Sequence, residues 1–444
     1  MSMVIIGGGP GGAELAGILA RRGRRVSLIE RRAAGGTCTN RGCIPTKFLL
    51  EGARNLAARE GETPRDAFAR LQARKKALTD GLSRKMAADL REAGVELIAG
   101  SARFAGGLAV AWDGEGGGGR IDAEGIVLAT GSESIRLPQL PVDGERVLDS
   151  DQLLEIDHVP ASLAIVGSGF IGCEFAFLFR MLGARVTVLE LLPQILPAED
   201  EDAAAVVRTS MERRGIDVRT GVSVEGASLD PSGDVALALT GGGSVAAERV
   251  LVSVGRRATT GGLDAGLAGV TLDARGAVVV DRFLESTARG VHAIGDVTGG
   301  MMLAHVATRQ ARFLGDVMTD RAAVPIDYDA IPWAVFTTPE VASVGVNRRT
   351  AAQRNLAVRT GTAHFTGNMK ARIEGEQSGF VRIVAEAGSG RIVGGTIVGR
   401  KASEMIHILS MAVAGGLTTG ELGNRVFAHP TLSEAIEEAA RRLE

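Results

Sequence analysis

Met3-Val4-Ile5-Ile6-Gly7-Gly8-Gly9-Pro10-Gly11-Gly12 is an apolar run that breaks into glycine, and an acid, Glu30, stands 23 residues after Gly7. The run reads as a strand, the glycines as a tight turn, residues 13–22 as a helix, and 26–29 as a second strand ending at Glu30. The pattern then returns. Leu163-Ala164-Ile165-Val166 runs into Gly167-Ser168-Gly169-Phe170-Ile171-Gly172, a helix to residue 182, a strand over 186–189, and Glu190, again 23 residues after Gly167. Each copy is followed later by an apolar strand running into glycine, Ile126-Val127-Leu128-Ala129-Thr130-Gly131 and Val250-Leu251-Val252-Ser253-Val254-Gly255. One Gly-x-Gly-x-x-Gly carries little weight. Two copies, each after a strand, before a helix and with an acid at one distance, predict two dinucleotide sites.

The chemistry explains the spacing. The first glycine (Gly7, Gly167) makes the turn, and the second (Gly9, Gly169) lets backbone approach a pyrophosphate. The third (Gly12, Gly172) lets helix and strand pack closely. Free N–H groups at the helix start receive the phosphates. The acid accepts from a ribose hydroxyl and repels a 2′-phosphate. Glu190 is followed by Leu191-Leu192, with no arginine to pair with a phosphate, so the second site is expected to take NAD rather than NADP. Arg31 and Arg32 read as a solvated edge.

Between the first acid and the next helix lies Gly35-Gly36-Thr37-Cys38-Thr39-Asn40-Arg41-Gly42-Cys43-Ile44-Pro45-Thr46-Lys47. Cysteines five apart in a regular helix have Cα atoms roughly 8–9 Å apart, and a disulfide needs less than about 7 Å. The segment should therefore be distorted, with Gly42 the natural place to absorb it. Pro45 is tolerated only in a first helical turn. Cys43 then sits at a helix start, where the dipole favours a thiolate. The pair is expected to be asymmetric, with Cys43 the stabilised thiolate and Cys38 freer to attack a substrate.

Composition narrows the classes. The 444 residues suffice for two to four domains, 45% are hydrophobic, and the formal net charge is −2. No basic field gathers phosphate backbones, so nucleic acid is not an expected partner. No apolar run reaches the length of a bilayer span, and residues 3–6 leave no room for a secretory signal ahead of the glycine loop, so a cytoplasmic protein is expected. Three cysteines are too few for a disulfide scaffold or a closed zinc site. Cys173 reads as buried packing. His158, His292, His364 and His407 show no ligand spacing, so no metal is expected.

The cysteine loop, both glycine motifs and Ala428-His429-Pro430-Thr431-Leu432-Ser433-Glu434 closely resemble the class I pyridine nucleotide–disulfide oxidoreductases. Within that class, Met302-Leu303-Ala304-His305, Ile331-Pro332, Phe336-Thr337, Pro339-Glu340 and the His429–Glu434 stretch look most like the dihydrolipoamide dehydrogenases. The resemblance implies FAD over the first loop, with Glu30 on its ribose and Asp296 near its ribityl chain. Gly36, Thr37, Lys47, Ala102, Thr130, Gly131 and Ala304 would line it. NAD would occupy the second loop, with Glu190, Val224 and Gly255 around it. The resemblance makes Cys43 the thiolate beside the flavin and Cys38 the interchange thiol. Lys47 would approach the flavin and pair with Glu174. His429 would be the general base, held by Glu434 and reaching the cysteine pair of the other subunit of a homodimer. Thr431 and Glu434 also match a helix capping box.

The expected fold is α/β, with two Rossmann-like dinucleotide-binding domains and a C-terminal α+β dimerisation domain. Its parts are FAD binding over 1–146, NAD binding over 147–270, a second FAD-binding or central part over 271–325, and the interface domain over 326–444. Residues 48–92 read as helical, 112–120 as a hairpin tip, 270–300 as strands, and 325–332 as a linker. The expected activity passes electrons between NAD and a lipoyl dithiol on a carrier protein. The alternatives are an NADH-linked reductase of another small disulfide and a non-catalytic FAD-bearing protein, which would have a broken cysteine pair. Thr39, Arg41 and Gln310-Ala311 depart from the family pattern, and Arg41 is expected to bias the pocket toward an acidic partner. The chain is on the short side and has no N-terminal lipoyl domain. Glutathione reductases would need arginines beside Glu190. Mercuric and large thioredoxin reductases would need a cysteine in the tail.

Overall fold

A computed structural model of the protein describes residues 2–56 and 62–443. The chain forms two compact units. One comprises Met1–Ile135, Ser150–His158 and Gly255–Ile326, and the other Arg136–Asp149, Val159–Val254 and Asp327–Glu444.

The first unit is built on a parallel sheet in the order Val291–Ala293, Gly125–Leu128, Ser2–Ile6, Arg25–Glu30, Glu96–Ala99. Its inner strands are buried on both faces, which is why Val4, Ile5, Ile126, Val127 and Leu128 follow one another without polar alternation. Helix Pro10–Arg21 starts with proline in its first turn, lays Leu15, Ala16 and Leu19 on the sheet, and stops before Gly23. Truncating any of these leucines to alanine would cost about 2–5 kcal/mol by the lost burial and the cavity left behind.

The second unit repeats this arrangement with a uniform offset of 160 residues. Strand Ser162–Val166, helix Phe170–Met181 and strand Arg185–Glu190 stand where Ser2–Ile6, Pro10–Arg21 and Arg25–Glu30 stand in the first. Even the register repeats, Ser2 opposite Arg25 and Ser162 opposite Arg185. Its parallel sheet runs Asp217–Thr220, Arg185–Glu190, Ser162–Val166, Arg249–Val252, Val147–Leu148. The same unit carries an antiparallel sheet in the order Pro332–Val335, Glu340–Gly345, Ile392–Gly399, Phe380–Glu386, Val358–His364. Helices Ala402–Ala414 and Glu434–Arg441 cover it, burying Ile383, Ile397, Leu409 and Ile436.

The expected helical stretch resolves into Cys43–Arg54 and Pro64–Glu92, and its part at 57–61 lies outside the described residues. The hairpin forms from Ala109–Gly114 and Gly117–Asp122. Residues 270–300 differ from expectation. They hold one strand, Val291–Ala293, and otherwise only isolated bridges such as Leu272 with Val278 and Val280 with Ser286. Tight turns at Asp273 and Asp281, whose carboxylates take several backbone N–H groups each, fold the run back before a ladder can extend. Among the described residues no helix is long and apolar enough to cross a membrane.

Candidate active site

The two glycine loops are alike in what each glycine touches. A Cβ on Gly7 would lie 2.3 Å from the Ala129 oxygen, and one on Gly167 2.6 Å from the Ser253 oxygen. Both have positive φ, +107° and +97°. The third glycines, Gly12 and Gly172, are closed by the backbone of the first. The middle ones, Gly9 and Gly169, meet no atom within 4 Å. Each is also the cap residue of its helix, with no side-chain cap, so the first N–H groups keep their donors for a ligand. Gly36, at φ +56°, approaches Gly9 closely enough that a Cβ would stand 2.6 Å from its Cα. Open space over uncapped N–H groups fits a pyrophosphate in both loops.

Each acid braces its loop. Glu30 accepts from Gly8 N at 2.6 Å and from Arg32 N at 2.8 Å. Glu190, 7% exposed, accepts from Ser168 N and Oγ, both at 2.7 Å, and from Leu192 N at 2.8 Å. Arg31 and Arg32 are exposed, as expected of a solvated edge. Val224 is buried at the start of strand Val224–Leu229, and Gly255 is the first residue of the returning segment of the first unit.

The cysteine loop breaks where the disulfide argument requires. Helix Gly36–Arg41 ends at Gly42, whose backbone leaves the helical region (φ −145°, ψ −106°), and helix Cys43–Arg54 starts at once. Pro45 falls in the first turn of that second helix. Thr37 and Cys38 lie on the first helix, and Lys47 lies one turn after Cys43. The Cys38 thiol is in hydrogen-bond contact with the Cys43 sulfur. That contact, then burial and the charges of Cys43 and Asp296, push the Cys38 thiol far above the ordinary thiol range, and Lys47 acts the other way. Cys38 is half-buried and Cys43 exposed.

Arg41 lies beside an acid of its own unit. Its Nε is 3.1 Å from Asp151 Oδ2, close but not aligned as a hydrogen bond. Burial lowers its pKa and Asp151 opposes that shift. Thr39 is buried against Gly35. Gln310 accepts the Gly295 N–H at 2.6 Å through its amide oxygen. Ala311 is packed in the core beside Leu15 and Leu314.

Asp296 lies in the short turn Gly295–Thr298 and accepts from Ser132 Oγ at 2.5 Å, while Arg256 Nε donates to the same Oγ at 2.8 Å. Thr130 Oγ1 donates to the Thr259 oxygen at 2.7 Å, and Gly131 (φ +72°) faces open space. Ala102 is half-buried on strand Ser101–Phe104, and Ala304 opens the uncapped helix Ala304–Val317. Ser132 and Arg256 were not read from the sequence, although each stands next to a glycine that was.

In the second unit, buried Glu174 accepts from Phe336 N at 3.0 Å. His429 Nδ1 meets Glu434 Oε1 at 2.8 Å, and the His429 side chain is 70% exposed. Glu434 Oε2 takes Thr431 N at 2.7 Å. The capping box is only half made, because Thr431 Oγ1 turns to the Ala428 oxygen and the N-cap position falls to Ser433, whose side chain makes no capping bond. The Thr431 N–H first, and His429 second, hold the Glu434 carboxyl below the usual range. An ionised carboxylate on Nδ1 fixes that proton and leaves Nε2 as the acceptor. Cys173 is fully buried, with its Sγ 3.2 Å from the Ser168 oxygen.

Comparison with known proteins agrees with this layout. The family model described as pyridine nucleotide-disulphide oxidoreductase matches residues 1–311, and that family's dimerisation domain matches 331–440. The dihydrolipoyl dehydrogenase of Chlorobaculum tepidum is 36% identical over 450 residues, covering 99% of this chain and 96% of that one. The Bacillus subtilis dihydrolipoyl dehydrogenase is 35% identical over 451 residues, covering 99% and 98%. Among solved structures, LpdA from Mycobacterium tuberculosis superposes with a TM-score of 0.91 at 30% identity, over 100% of both chains. RclA of Escherichia coli, an HOCl-induced flavoprotein disulfide reductase, gives 0.90 at 30% identity, again over 100% of both. Two dinucleotide loops, a cysteine pair on a broken helix and full-length similarity on both counts lead to one conclusion: the chain belongs to the pyridine nucleotide-disulphide oxidoreductase family.

Proposed function

We propose that this protein is a dihydrolipoyl dehydrogenase, oxidising the dithiol of a carrier-bound lipoyl group with NAD+ by way of a Cys38–Cys43 disulfide. The observation that carries this reading is the placing of Cys38 and Cys43 on two helices that meet at the Gly42 break, in a chain similar to dihydrolipoyl dehydrogenases over 99% of its length. FAD and NAD(H) are the cofactors of the family.

In this reading His429 Nε2 takes the proton of a substrate thiol, and Glu434 steadies the ring. The substrate thiolate attacks Cys38 sulfur, the Cys38–Cys43 bond breaks, and Cys43 leaves as thiolate at its helix start. The second substrate thiol closes the substrate disulfide and releases Cys38. FAD, when bound, relays the two electrons from the reduced pair to NAD+. Glu30 and the Gly7–Gly12 loop, with Gly36, Thr37, Lys47, Ala102, Thr130, Gly131, Asp296 and Ala304, would hold it. Glu190, Val224, Gly255 and the Gly167–Gly172 loop would hold NAD. Lys47 is proposed to pair with Glu174. The net change is dithiol plus NAD+ to disulfide plus NADH and a proton. The protein works as a cytoplasmic homodimer through residues 326–444, and His429 serves the partner's cysteines.

The test is turnover of the holoenzyme with NADH and lipoamide, and with dihydrolipoamide and NAD+. Cys38→Ser and Cys43→Ser should each reduce it at least about a thousandfold, as loss of a covalent nucleophile does. Turnover of another disulfide without lipoamide would favour the second reading, an NADH-linked reductase of a different disulfide, to which the likeness to RclA points.

A further inference from the structure

Glu199 belongs to the acidic run Pro197-Ala198-Glu199-Asp200-Glu201-Asp202. In the second unit it is 0% exposed. Its Oε1 accepts from Trp333 Nε1 and its Oε2 from Ser343 Oγ, both at 2.7 Å. Both donors sit on the C-terminal antiparallel sheet, in strands Pro332–Val335 and Glu340–Gly345. Both donors are neutral, and burial raises the pKa of the carboxyl. Either donor left without its acceptor would be a buried polar group with no partner.

On its other side Glu199 is tied to the second glycine loop by backbone. Glu199 N donates to the Leu196 oxygen at 2.9 Å, and Leu196 N donates to the Ser168 oxygen at 3.0 Å. Leu196 is fully buried and held at φ +46°. Ser168 in turn gives both its N–H and its hydroxyl to Glu190. The neighbours of Glu199 add further ties to the C-terminal part, Asn347 Nδ2 to the Ala198 oxygen at 3.0 Å and Arg382 to Asp202 at 2.9 Å. Asp200 beside it is buried as well, and Glu199 is the acid of the run that holds Trp333 and Ser343.

We propose that Glu199 is a positioning residue for the nicotinamide dinucleotide. It transmits the place of the C-terminal sheet, through Leu196 and Ser168, to the glycine loop and to Glu190. The inference rests on the reading of the Gly167 loop as the NAD site. It touches neither substrate nor cofactor itself, and it acts through Ser168.

The experiment compares Glu199→Ala, Glu199→Gln and Trp333→Phe holoenzymes in steady-state turnover of NADH with lipoamide. Glu199→Ala should raise the KM for NADH about tenfold, a factor equivalent to about 1.4 kcal/mol, with the KM for lipoamide unchanged. Glu199→Gln keeps the shape, accepts from Trp333 through its carbonyl and donates to Ser343, so it should restore the KM to within about twofold. Trp333→Phe removes one donor only and should shift the NADH KM in the same direction as Glu199→Ala. If Glu199→Ala does not fold, Trp333→Phe carries the test. An unchanged NADH KM in Trp333→Phe, or equal rises for NADH and lipoamide, would overturn the proposal. Failure of the wild-type enzyme to saturate with NADH would instead overturn the assignment of the loop.

Discussion

Gly12 crosses the carbonyl of Gly7 so closely that a Cβ there would stand 1.9 Å from its oxygen, and Gly172 stands to Gly167 in the same way at 2.0 Å. Backbone cannot yield to such an overlap as a flexible side chain can. Gly12→Ala and Gly172→Ala should therefore damage the fold itself, seen as lost soluble yield or a lowered melting temperature. Gly9→Ala and Gly169→Ala meet no protein atom. They should leave thermal stability of the cofactor-free chain unchanged or slightly raised, yet weaken FAD and NAD(H) binding respectively. Calorimetry paired with cofactor titration separates the two outcomes, and a destabilised Gly9→Ala would contradict the ligand reading.

Glu190 accepts from Ser168 and Leu192 and is followed by two leucines, so a 2′-phosphate would meet a carboxylate with no arginine next to it in sequence. NADH should exceed NADPH in kcat/KM by at least about a hundredfold, equivalent to about 2.7 kcal/mol. Comparable efficiencies would refute this. Leu191→Arg combined with Glu190→Gln should narrow the gap.

The share of Glu434 in stability should follow the protonation of its carboxylate. Its folded-state pKa is depressed by the Thr431 N–H and by His429. Its contribution is thus fully present above the unfolded carboxylate pKa and fades as pH falls through the lower folded value. The difference in unfolding free energy between wild type and Glu434→Gln, from denaturant titrations, should be constant near neutrality and shrink in acid. A difference that grows on acidification would reverse the assignment.

A mixture of two inactive variants tests the proposed two-chain site. Cys43→Ser and His429→Gln, unfolded together and refolded, should regain up to about a quarter of wild-type activity, since half the dimers are mixed and each has one intact site. Mixed dimers as inactive as their parents would place His429 with the cysteines of its own chain.

The two strand–loop–helix–strand copies were legible because their determinants are local. Turn glycines, a proline or cap at the helix start, and an acid at the next strand end lie within one short span. The break at Gly42 was legible too, since the reach of a disulfide and the rise of a helix cannot both be met without it. Features that depend on distant partners were hidden. Nothing near Arg41 announces Asp151, and nothing in an acidic run marks Glu199 and Asp200 as its buried members. Residues 270–300 misled because their apolar spacing resembles strands, while the aspartate-centred turns that cut them short depend on where each carboxylate folds back. The partial burial of Cys38 depends on the packing around it, which no motif spacing encodes.

The uniform offset of 160 residues makes the molecule its own control experiment. A substitution at positions 7, 9 or 12 and the identical one at 167, 169 or 172 are made on the same strand register and the same helix length. Whatever the change does to the turn, it does twice. The difference between the two effects isolates what each loop holds, and it can be measured within a single polypeptide, in one buffer and one preparation.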